Sequence, residues 1–184
     1  MTFEGLAAFG YELGLLKRVR RSGWWHAGVR DPESVGEHSL RAAQLAALLA
    51  AEEGASPERA AFLALWHDTQ ETRTGDLPLT AVDYLRKPEP RAITADQTDG
   101  LPARSKDLVR AAVDEYETRE SAEARCAKDA DKLEMLLQAL EYRDAGVRRV
   151  DEWIESARKG LTTETAKRIA EAALTLSPLA WRDR

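Results

Sequence analysis

The dipeptide His67-Asp68 is the first feature of this sequence that could do chemistry. It lies near the end of an apolar helical stretch, where a charged pair is costly unless another group compensates it. Glu71 follows four residues after His67 and three after Asp68, so the three side chains share one helix face. Asp76 comes just past the predicted helix end. An imidazole and three carboxylates so close together indicate part of a divalent-metal site or an acid–base site. A solvated, polar helix end is the alternative.

A second group of residues supports the metal interpretation. His38 lies one turn inside a capped helix, and Asp129 and Asp131 stand beside an apolar helical run far along the chain. Two imidazole nitrogens with two carboxylate oxygens suit a cation such as Mn, Co, Zn or Fe. A site of this kind with open coordination positions can polarise a phosphoryl oxygen and generate hydroxide from water.

Helices must position these residues, because Ala, Leu, Glu and Arg dominate the sequence and β-branched residues are sparse. Ser34 and Glu37 form the pattern of a capping box, and Ser56-Pro57 is a typical helix start. The predicted helices cover residues 3–18, 34–53, 56–73, 105–119, 121–143, 147–158 and 163–176. Between them, residues 19–33 are predicted to form an ordered loop, and residues 86–104 an exposed excursion or flexible lid. The sequence therefore predicts an all-α fold, a single bundle-like domain of six or seven helices.

Composition and charge exclude several classes of function. The 184-residue chain has 27 basic and 32 acidic residues, a net charge of −5 without a basic stripe, so nonspecific nucleic-acid binding is not expected. No apolar run approaches the roughly 20 residues that span a bilayer, and the first residues lack the pattern of a signal peptide. Cys126 is the only cysteine, which excludes an intramolecular disulfide and fits a reducing compartment. We expect a cytoplasmic protein with no nucleic-acid or membrane partner.

Five ordered blocks of sequence carry a resemblance to a known family. They are LLKRVRRSGWW, ESVGEHS, ALWHDTQETRTGDLP, DEYETRESAEA and DADKLEMLLQALEY, and they run from about residue 13 to residue 143. Together they resemble the HD-domain metal-dependent phosphohydrolases, and within them the 5′-deoxynucleotidase subfamily. The resemblance implies a single HD domain over residues 1–184, with its motif core at about 13–143 and C-terminal helices at 147–176.

The resemblance also implies the roles of individual residues. The family's metal ligands fall on His38, His67, Asp68 and Asp131, which implies one divalent metal ion, its identity open among Mn, Co, Zn, Fe and Mg. The family's acidic residues that orient or deprotonate the attacking water fall on Glu71 and Asp76. HD relatives with two metals generally have further histidines between the HD pair and the last aspartate. Since no histidine lies between Asp68 and Asp131, a dinuclear site is not expected. The family further implies a homodimer.

The loop before His38 supplies the candidate substrate contacts. Arg20 and Arg21 could counter a phosphate, because the guanidinium fork suits phosphate oxygens. Trp24 and Trp25 could stack on a base or wall off the sugar, and ordinary packing is the alternative for each. Of these neighbours, Arg21 and Trp24 are our predicted substrate-binding residues.

The predicted function is therefore metal-dependent hydrolysis of (deoxy)ribonucleoside 5′-monophosphates to nucleoside and phosphate. In this scheme a metal-activated water attacks phosphorus, assisted by Glu71 and Asp76. The alternatives are a phosphohydrolase for a modified nucleotide or another small phosphoester, and a non-catalytic nucleotide-binding HD protein.

Overall fold

The computed structural model describes residues 3–81, 83–85 and 89–183, and all the regular elements in these ranges are helical. Ten α-helices follow one another along them: α1 Phe3–Leu13, α2 Gly23–Ala27, α3 Val35–Glu52, α4 Pro57–Trp66, α5 Glu71–Thr74, α6 Pro90–Gln97, α7 Ala103–Thr118, α8 Ala122–Asp144, α9 Asp151–Gly160 and α10 Glu164–Thr175. The predicted all-α fold is confirmed. The helix count exceeds the expected six or seven because α2, α5 and α6 lie where loops or a longer helix were predicted.

Polar side chains set the beginnings of the helices, as the sequence predicted for α3 and α4. Ser34 Oγ accepts a hydrogen bond from the backbone N–H of Glu37 at 3.1 Å, and Glu37 Oε2 accepts one from the N–H of Ser34 at 2.6 Å. Ser56 caps α4, with Pro57 in the first turn. Such caps contribute about 1 kcal/mol each. They fix where α3 begins and so where His38 lies within it.

The core forms where α3, α4 and α8 pack against one another. Small side chains on α3 allow close approach of its neighbours, and leucines of α4 and α8 fill the remaining space. The fully buried members on these three helices include Ala42, Ala46, Leu49, Ala50, Ala60, Leu63, Ala64, Leu133 and Leu136. Because α3 and α8 are held by this packing, side chains on their facing surfaces have fixed positions relative to one another.

The helix predicted over residues 56–73 is interrupted at the HD dipeptide. Helix α4 ends at Trp66, residues 67–70 form a turn, and α5 begins at Glu71. The side-chain amide of Gln97 holds this HD turn (residues 67–70): its Nε2 donates to the carbonyl of Thr69 at 3.1 Å and to Glu12 Oε1 at 2.9 Å. These tertiary hydrogen bonds outweigh the local preference for a continuous helix, because the buried backbone groups of the turn need partners.

The exposed excursion expected at residues 86–104 is only partly confirmed for residues 89–104: many of them are exposed, but they include a helix with a buried face. Helix α6 lies in this stretch, and its Thr94 and Gln97 side chains are buried against the HD turn, where Gln70 Nε2 donates to Thr94 Oγ1 at 2.8 Å. Leu101, which follows α6, is buried as well. Proline at the start of α6 suits the first turn of a helix, so a segment that looked loop-like by composition is helical. Residues 86–88 of the predicted lid lie outside the described residues.

Asp129 on α8 anchors the chain that leads into α10. Its carboxylate accepts hydrogen bonds from the backbone N–H groups of Thr162 at 2.9 Å and Thr163 at 2.6 Å, and from Thr163 Oγ1 at 2.8 Å. Asp129 is two residues from Asp131, which turns the two side chains about 200° apart around the helix. Although the two carboxylates are close in the sequence, they therefore face different parts of the molecule.

Asp129→Ala is expected to lower the free energy of unfolding by about 3 kcal/mol, because it leaves two backbone N–H groups without their charged acceptor. For a chain of this length the loss corresponds to a drop of roughly 6–12 °C in the melting temperature. Thermal and urea unfolding monitored by circular dichroism measure both quantities. An unchanged melting temperature would show that water replaces the carboxylate at no cost.

Candidate metal centre and its cavity

The structure brings His38, His67, Asp68 and Asp131 together from three separate parts of the chain. His38 comes from α3, His67 and Asp68 from the HD turn, and Asp131 from α8. His38 Nε2 lies 3.7 Å from Asp68 Oδ2 and 3.3 Å from Asp131 Oδ1. His67 Nε2 lies 3.0 Å and 3.8 Å from the same two oxygens. His38, His67 and Asp68 thus bring one ligand atom each within 4.8 Å of one another, and Asp131 Oδ1 lies within 3.8 Å of both imidazole nitrogens.

Both histidines present an unpaired nitrogen to this cluster. Their Nε2 atoms are buried and have no hydrogen-bond partner of acceptable geometry among the described residues. Their Nδ1 atoms are engaged: that of His67 donates to the carbonyl oxygen of Ala64 at 2.6 Å, and that of His38 faces Glu134 Oε2 at 2.5 Å. A buried nitrogen without a partner is costly unless a ligand is bound. The donor set therefore fits a divalent metal ion.

The electrostatics of the cluster favour an added positive charge. Burial alone would lower the pKa of His67, but the adjacent carboxylates of Asp68 and Asp131 outweigh it and raise this pKa to about 10. Burial likewise opposes ionisation of Asp131, yet Lys128 and the two imidazoles hold its pKa well below the usual range. Without a metal the site keeps a proton on an imidazole, and a divalent cation would displace that proton.

Asp131 is held by two residues that the sequence analysis did not single out. Its Oδ2 accepts a hydrogen bond from Lys128 Nζ at 2.7 Å and from the Tyr116 hydroxyl at 3.2 Å. Its other oxygen remains directed to His38 and His67. The ammonium group of Lys128 also places a positive charge at the wall of the neighbouring cavity.

A cavity of about 110 Å³ lies beside the candidate metal centre. Glu71 lines it, and its Oε2 is buried without a hydrogen-bond partner among the described residues. Burial and the nearby carboxylates of Asp68 and Asp76 raise the pKa of Glu71 to about 9. In the metal-free protein this carboxyl is therefore neutral at pH 7 and carries a proton. The other lining residues are His67, Asp68, Gln70, Thr74, Gly75, Leu77, Pro90, Ile93, Tyr116, Glu117 and Lys128.

Asp76 fixes Arg21 at the edge of the site. Its Oδ1 accepts a hydrogen bond from Arg21 Nη1 at 3.0 Å, and its Oδ2 accepts from the backbone N–H and the hydroxyl of Ser22 at 2.6 and 2.9 Å. Gly75, with a φ of 71°, allows the chain to turn so that Asp76 meets this loop. Because both oxygens of Asp76 are engaged, its placement supports a positioning role better than proton transfer.

Of the two candidate arginines, the structure places Arg21 beside the candidate metal centre, whereas Arg20 pairs with residues outside it. Arg21 Nη1 also lies 3.6 Å from Asp68 Oδ2. Arg20 instead pairs with Asp31 at 3.1 Å and donates to the carbonyl of Pro32. The geometry therefore favours Arg21 as the group that would meet a phosphate.

The prediction that Trp24 contacts substrate conflicts with its position in the core. Trp24 is 2% exposed, stacks on Trp153 at 5.6 Å between ring centroids, and donates from Nε1 to Glu33 Oε1. Its neighbour Trp25 is 54% exposed. Both belong to α2, where successive side chains point about 100° apart, so the helix buries one tryptophan and exposes the next. The sequence alone gave no sign of this one-turn helix.

Trp24→Ala is expected to cost about 3–5 kcal/mol of stability, as for other buried aromatic side chains. Trp25→Ala, the matched exposed change, should alter stability by no more than about 0.5 kcal/mol. Urea unfolding followed by circular dichroism distinguishes them. Equal destabilisation by both changes would contradict the assignment of Trp24 to the core.

Glu134 is the buried charged residue that sequence reasoning missed most clearly. It lies within the apolar stripe of α8, beside Leu133 and one turn after Asp131. A carboxylate at a position where the helical pattern demands an apolar side chain must find a buried partner. That conflict was visible in the sequence, but its partners, His38 and Arg41, lie on another helix.

Comparison with known proteins identifies relatives of this chain. A family model described as "HD domain" matches residues 13–173. The 5′-deoxynucleotidase HDDC2 of Bos taurus is 40% identical over 134 residues, which cover 72% of this chain and 65% of the relative. The human protein of the same name is 37% identical over 152 residues, covering 78% of this chain and 73% of the relative.

Solved structures agree with this relationship. A conserved hypothetical protein from Pyrococcus furiosus matches with a TM-score of 0.74 and 32% identity, covering 92% of this chain and 99% of that one. A protein from Magnetospirillum magnetotacticum, described as a predicted metal-dependent phosphohydrolase, matches with a TM-score of 0.69 and 27% identity, covering 94% and 90% of the two chains. Within the described ranges no helix of the present chain is long and apolar enough to cross a membrane.

Proposed function

This chain belongs to the HD domain family, and from that premise we propose that it is a metal-dependent phosphomonoesterase acting on nucleoside 5′-monophosphates. The products are nucleoside and inorganic phosphate. The observation that carries the proposal is the convergence of two unpaired imidazole nitrogens and two carboxylates beside a cavity that Lys128 lines.

His38, His67, Asp68 and Asp131 are the residues that would hold one divalent metal ion. The chemistry supplied by such an ion is Lewis-acid polarisation of a phosphoryl oxygen and acidification of water. The protein's part is to hold these donors rigidly: Lys128 and Tyr116 fix Asp131, and the carbonyl of Ala64 fixes His67. Manganese, cobalt, zinc, iron and magnesium remain the candidate ions.

Arg21 and Lys128 would bind the phosphate group of the substrate. Arg21 is fixed by Asp76, and Lys128 lines the cavity. Each now pairs with a carboxylate of the site, at 3.0 Å from Asp76 and 2.7 Å from Asp131, so each positive charge is already oriented before substrate binds. A planar guanidinium and an ammonium group both suit a ligand with several anionic oxygens.

We propose that Glu71 donates the proton that the leaving nucleoside oxygen takes up. Its Oε2 is buried, faces no donor or acceptor among the described residues, and lies at the cavity that would receive the phosphate. A neutral carboxyl does not repel a phosphate dianion, and it can donate a proton to a leaving alkoxide. Asp76 contributes by holding Arg21 and Ser22 rather than by touching water.

The proposal extends to substrate preference, assembly and location. We propose deoxynucleotides as the preferred substrates because the HDDC2 relatives are named 5′-deoxynucleotidases. We also propose a homodimer, which the family resemblance implies, with exposed apolar side chains near the C-terminus, such as Trp181 and Leu179, at its interface. The proposed cytoplasmic location rests on the lone Cys126, which fits a reducing compartment. Light scattering coupled to size-exclusion chromatography tests the dimer.

Phosphate release from a panel of nucleoside monophosphates tests the reaction. The panel contains 5′- and 3′-monophosphates, ribo and deoxy, each assayed with Mn, Co, Mg and Zn and with a chelator. We expect turnover only of 5′-monophosphates and only with metal. Silence across the panel by protein that demonstrably binds metal would contradict the proposal and favour a specialised phosphoester substrate or a non-catalytic binding protein.

A further inference from the structure

Glu134 is a carboxylate without any exposed surface, directly behind the candidate metal centre. Its Oε2 lies 2.5 Å from His38 Nδ1. Its Oε1 accepts two hydrogen bonds from Arg41, from Nε at 2.9 Å and from Nη2 at 2.7 Å. A fully buried carboxylate is tolerated only where it is paired and both oxygens are hydrogen-bonded, and these contacts meet that condition.

Arg41 is itself held in place by two residues further along α8. Its Nη1 donates to Glu141 Oε1 at 2.7 Å, and its Nη2 donates to Gln138 Oε1 at 2.8 Å. The guanidinium is planar and rigid, so these contacts fix its orientation. Glu134 consequently cannot rotate away from His38 without losing a charged partner.

The contact determines which nitrogen of His38 carries the proton. An ionised carboxylate only accepts hydrogen bonds, so Nδ1 of His38 must be the N–H. The lone pair of the neutral ring then belongs to Nε2, which faces Asp68 and Asp131 at 3.7 and 3.3 Å. A second-layer partner of this kind orients an imidazole ligand and increases its basicity.

We propose that Glu134, held by Arg41, is a positioning residue that fixes His38 in the tautomer and orientation required to bind a divalent metal. The inference rests on the proposed metal site. The two imidazoles differ in this respect, because Nδ1 of His67 is oriented by a backbone carbonyl, that of Ala64, which a side-chain substitution does not remove. Of the two imidazoles, only that of His38 therefore owes its orientation to a buried side-chain charge.

Three variants separate orientation from charge. Glu134→Ala removes the acceptor and should raise the Mn²⁺ dissociation constant by about 10–100-fold. The amide of Glu134→Gln can take two orientations. If its NH₂ faces His38, the imidazole must carry its proton on Nε2, the nitrogen that would bind the metal. If its NH₂ faces Arg41, two donor groups face each other. The double variant Arg41→Met/Glu134→Gln removes the second conflict, so it should bind Mn²⁺ more tightly than Glu134→Gln alone.

Isothermal titration of the full chain with Mn²⁺ alone measures these constants, and the visible absorption of bound Co²⁺ reports ligand geometry without any turnover. Glu171→Ala is the matched control. It removes the carboxylate partner of Arg158 from α10, which supplies no residue to the site. We expect its Mn²⁺ affinity and Co²⁺ spectrum to equal those of the wild type.

The outcomes distinguish the two proposals. Wild-type protein that binds none of the five candidate ions would overturn the proposed metal-dependent function. Tight binding by the wild type and equal binding by Glu134→Ala would overturn the present inference alone, as would a double variant no better than Glu134→Gln. If Glu134→Ala does not fold by circular dichroism, Arg41→Met decides: a raised dissociation constant supports the inference, and an unchanged one overturns it.

Discussion

Asp131→Ala is expected to lower kcat/KM about a thousandfold or more, because losing one of four ligands forfeits several kcal/mol of charge stabilisation in the transition state. Mn²⁺ is expected to raise the melting temperature of the wild type, and this substitution should abolish the rise. The structure places Asp131 between both imidazoles, at 3.3 and 3.8 Å from their Nε2 atoms. Among the described residues of α8, no other carboxylate lies within 4 Å of both imidazoles.

Asp129→Ala supplies the opposite pattern and is the matched control. Its carboxylate binds the backbone at Thr162 and Thr163 rather than facing the centre. We expect it to lose stability, as argued above, while the folded fraction retains Mn²⁺ affinity and kcat. Metal titration and phosphate release on both variants at a temperature where both are folded make the comparison. Loss of metal affinity in both would show that α8 moves as a whole.

Glu71→Gln has the second largest expected effect, a fall in kcat of roughly 10²–10⁴-fold, typical for removal of a general acid or base. Glutamine matches the size and polarity of the neutral carboxyl but cannot transfer a proton. Because Glu71 is not among the proposed ligands, Mn²⁺ affinity should stay close to that of the wild type. Phosphate release under saturating metal, with the titration repeated, separates the two effects. Wild-type turnover would refute the role of Glu71.

The same residue ties the stability of the metal-free protein to pH. The pKa of Glu71 is raised to about 9 by burial and by Asp68 and Asp76, whereas an unfolded glutamate titrates near ~4.3. Stability from the neutral carboxyl is therefore complete below the unfolded pKa and is lost as pH rises through the folded value.

In EDTA, the stability of Glu71→Gln relative to the wild type should thus increase between about pH 5 and about pH 8. His67, whose pKa is also raised, changes stability in the same direction but does so in both proteins, so the difference isolates Glu71. Urea unfolding at the two pH values measures it. A difference that does not change with pH would show that Glu71 is ionised in the fold.

The helical fold followed from composition and from local start signals, and the reasons are physical. The capping box of Ser34 and Glu37 is a short-range interaction, so its residues are adjacent in the sequence. The break after Trp66 was not predictable, because Gln97 stabilises the HD turn from a distant helix. Helix α6 was missed for a related reason. Its composition resembles that of a loop, and its stabilising contact, that of Thr94 with Gln70, joins residues far apart in the sequence.

Within the site, residue types were easier to predict than orientations. The family resemblance implied that His38, His67, Asp68 and Asp131 form one cluster, and the structure brings the four together. Sequence spacing could not show which of two neighbouring residues directs its side chain into the site. The clearest case is Trp24, which lies in the core, and the relation of Asp76 to Arg21 is another, since a turn at Gly75 creates it.

The amide of Gln97 has a consequence for how the protein opens. It joins α6 to Glu12 of α1 and to the backbone of Thr69, so these stretches share hydrogen bonds that break together. In native-state hydrogen exchange such segments form one cooperative unit. The free energy of local opening of the HD turn, which carries His67 and Asp68, therefore depends on contacts with α1 and α6, two helices that supply no ligand. Substitutions in α1 would change the fraction of time for which the candidate metal centre is open to solvent, while its ligand residues stay the same.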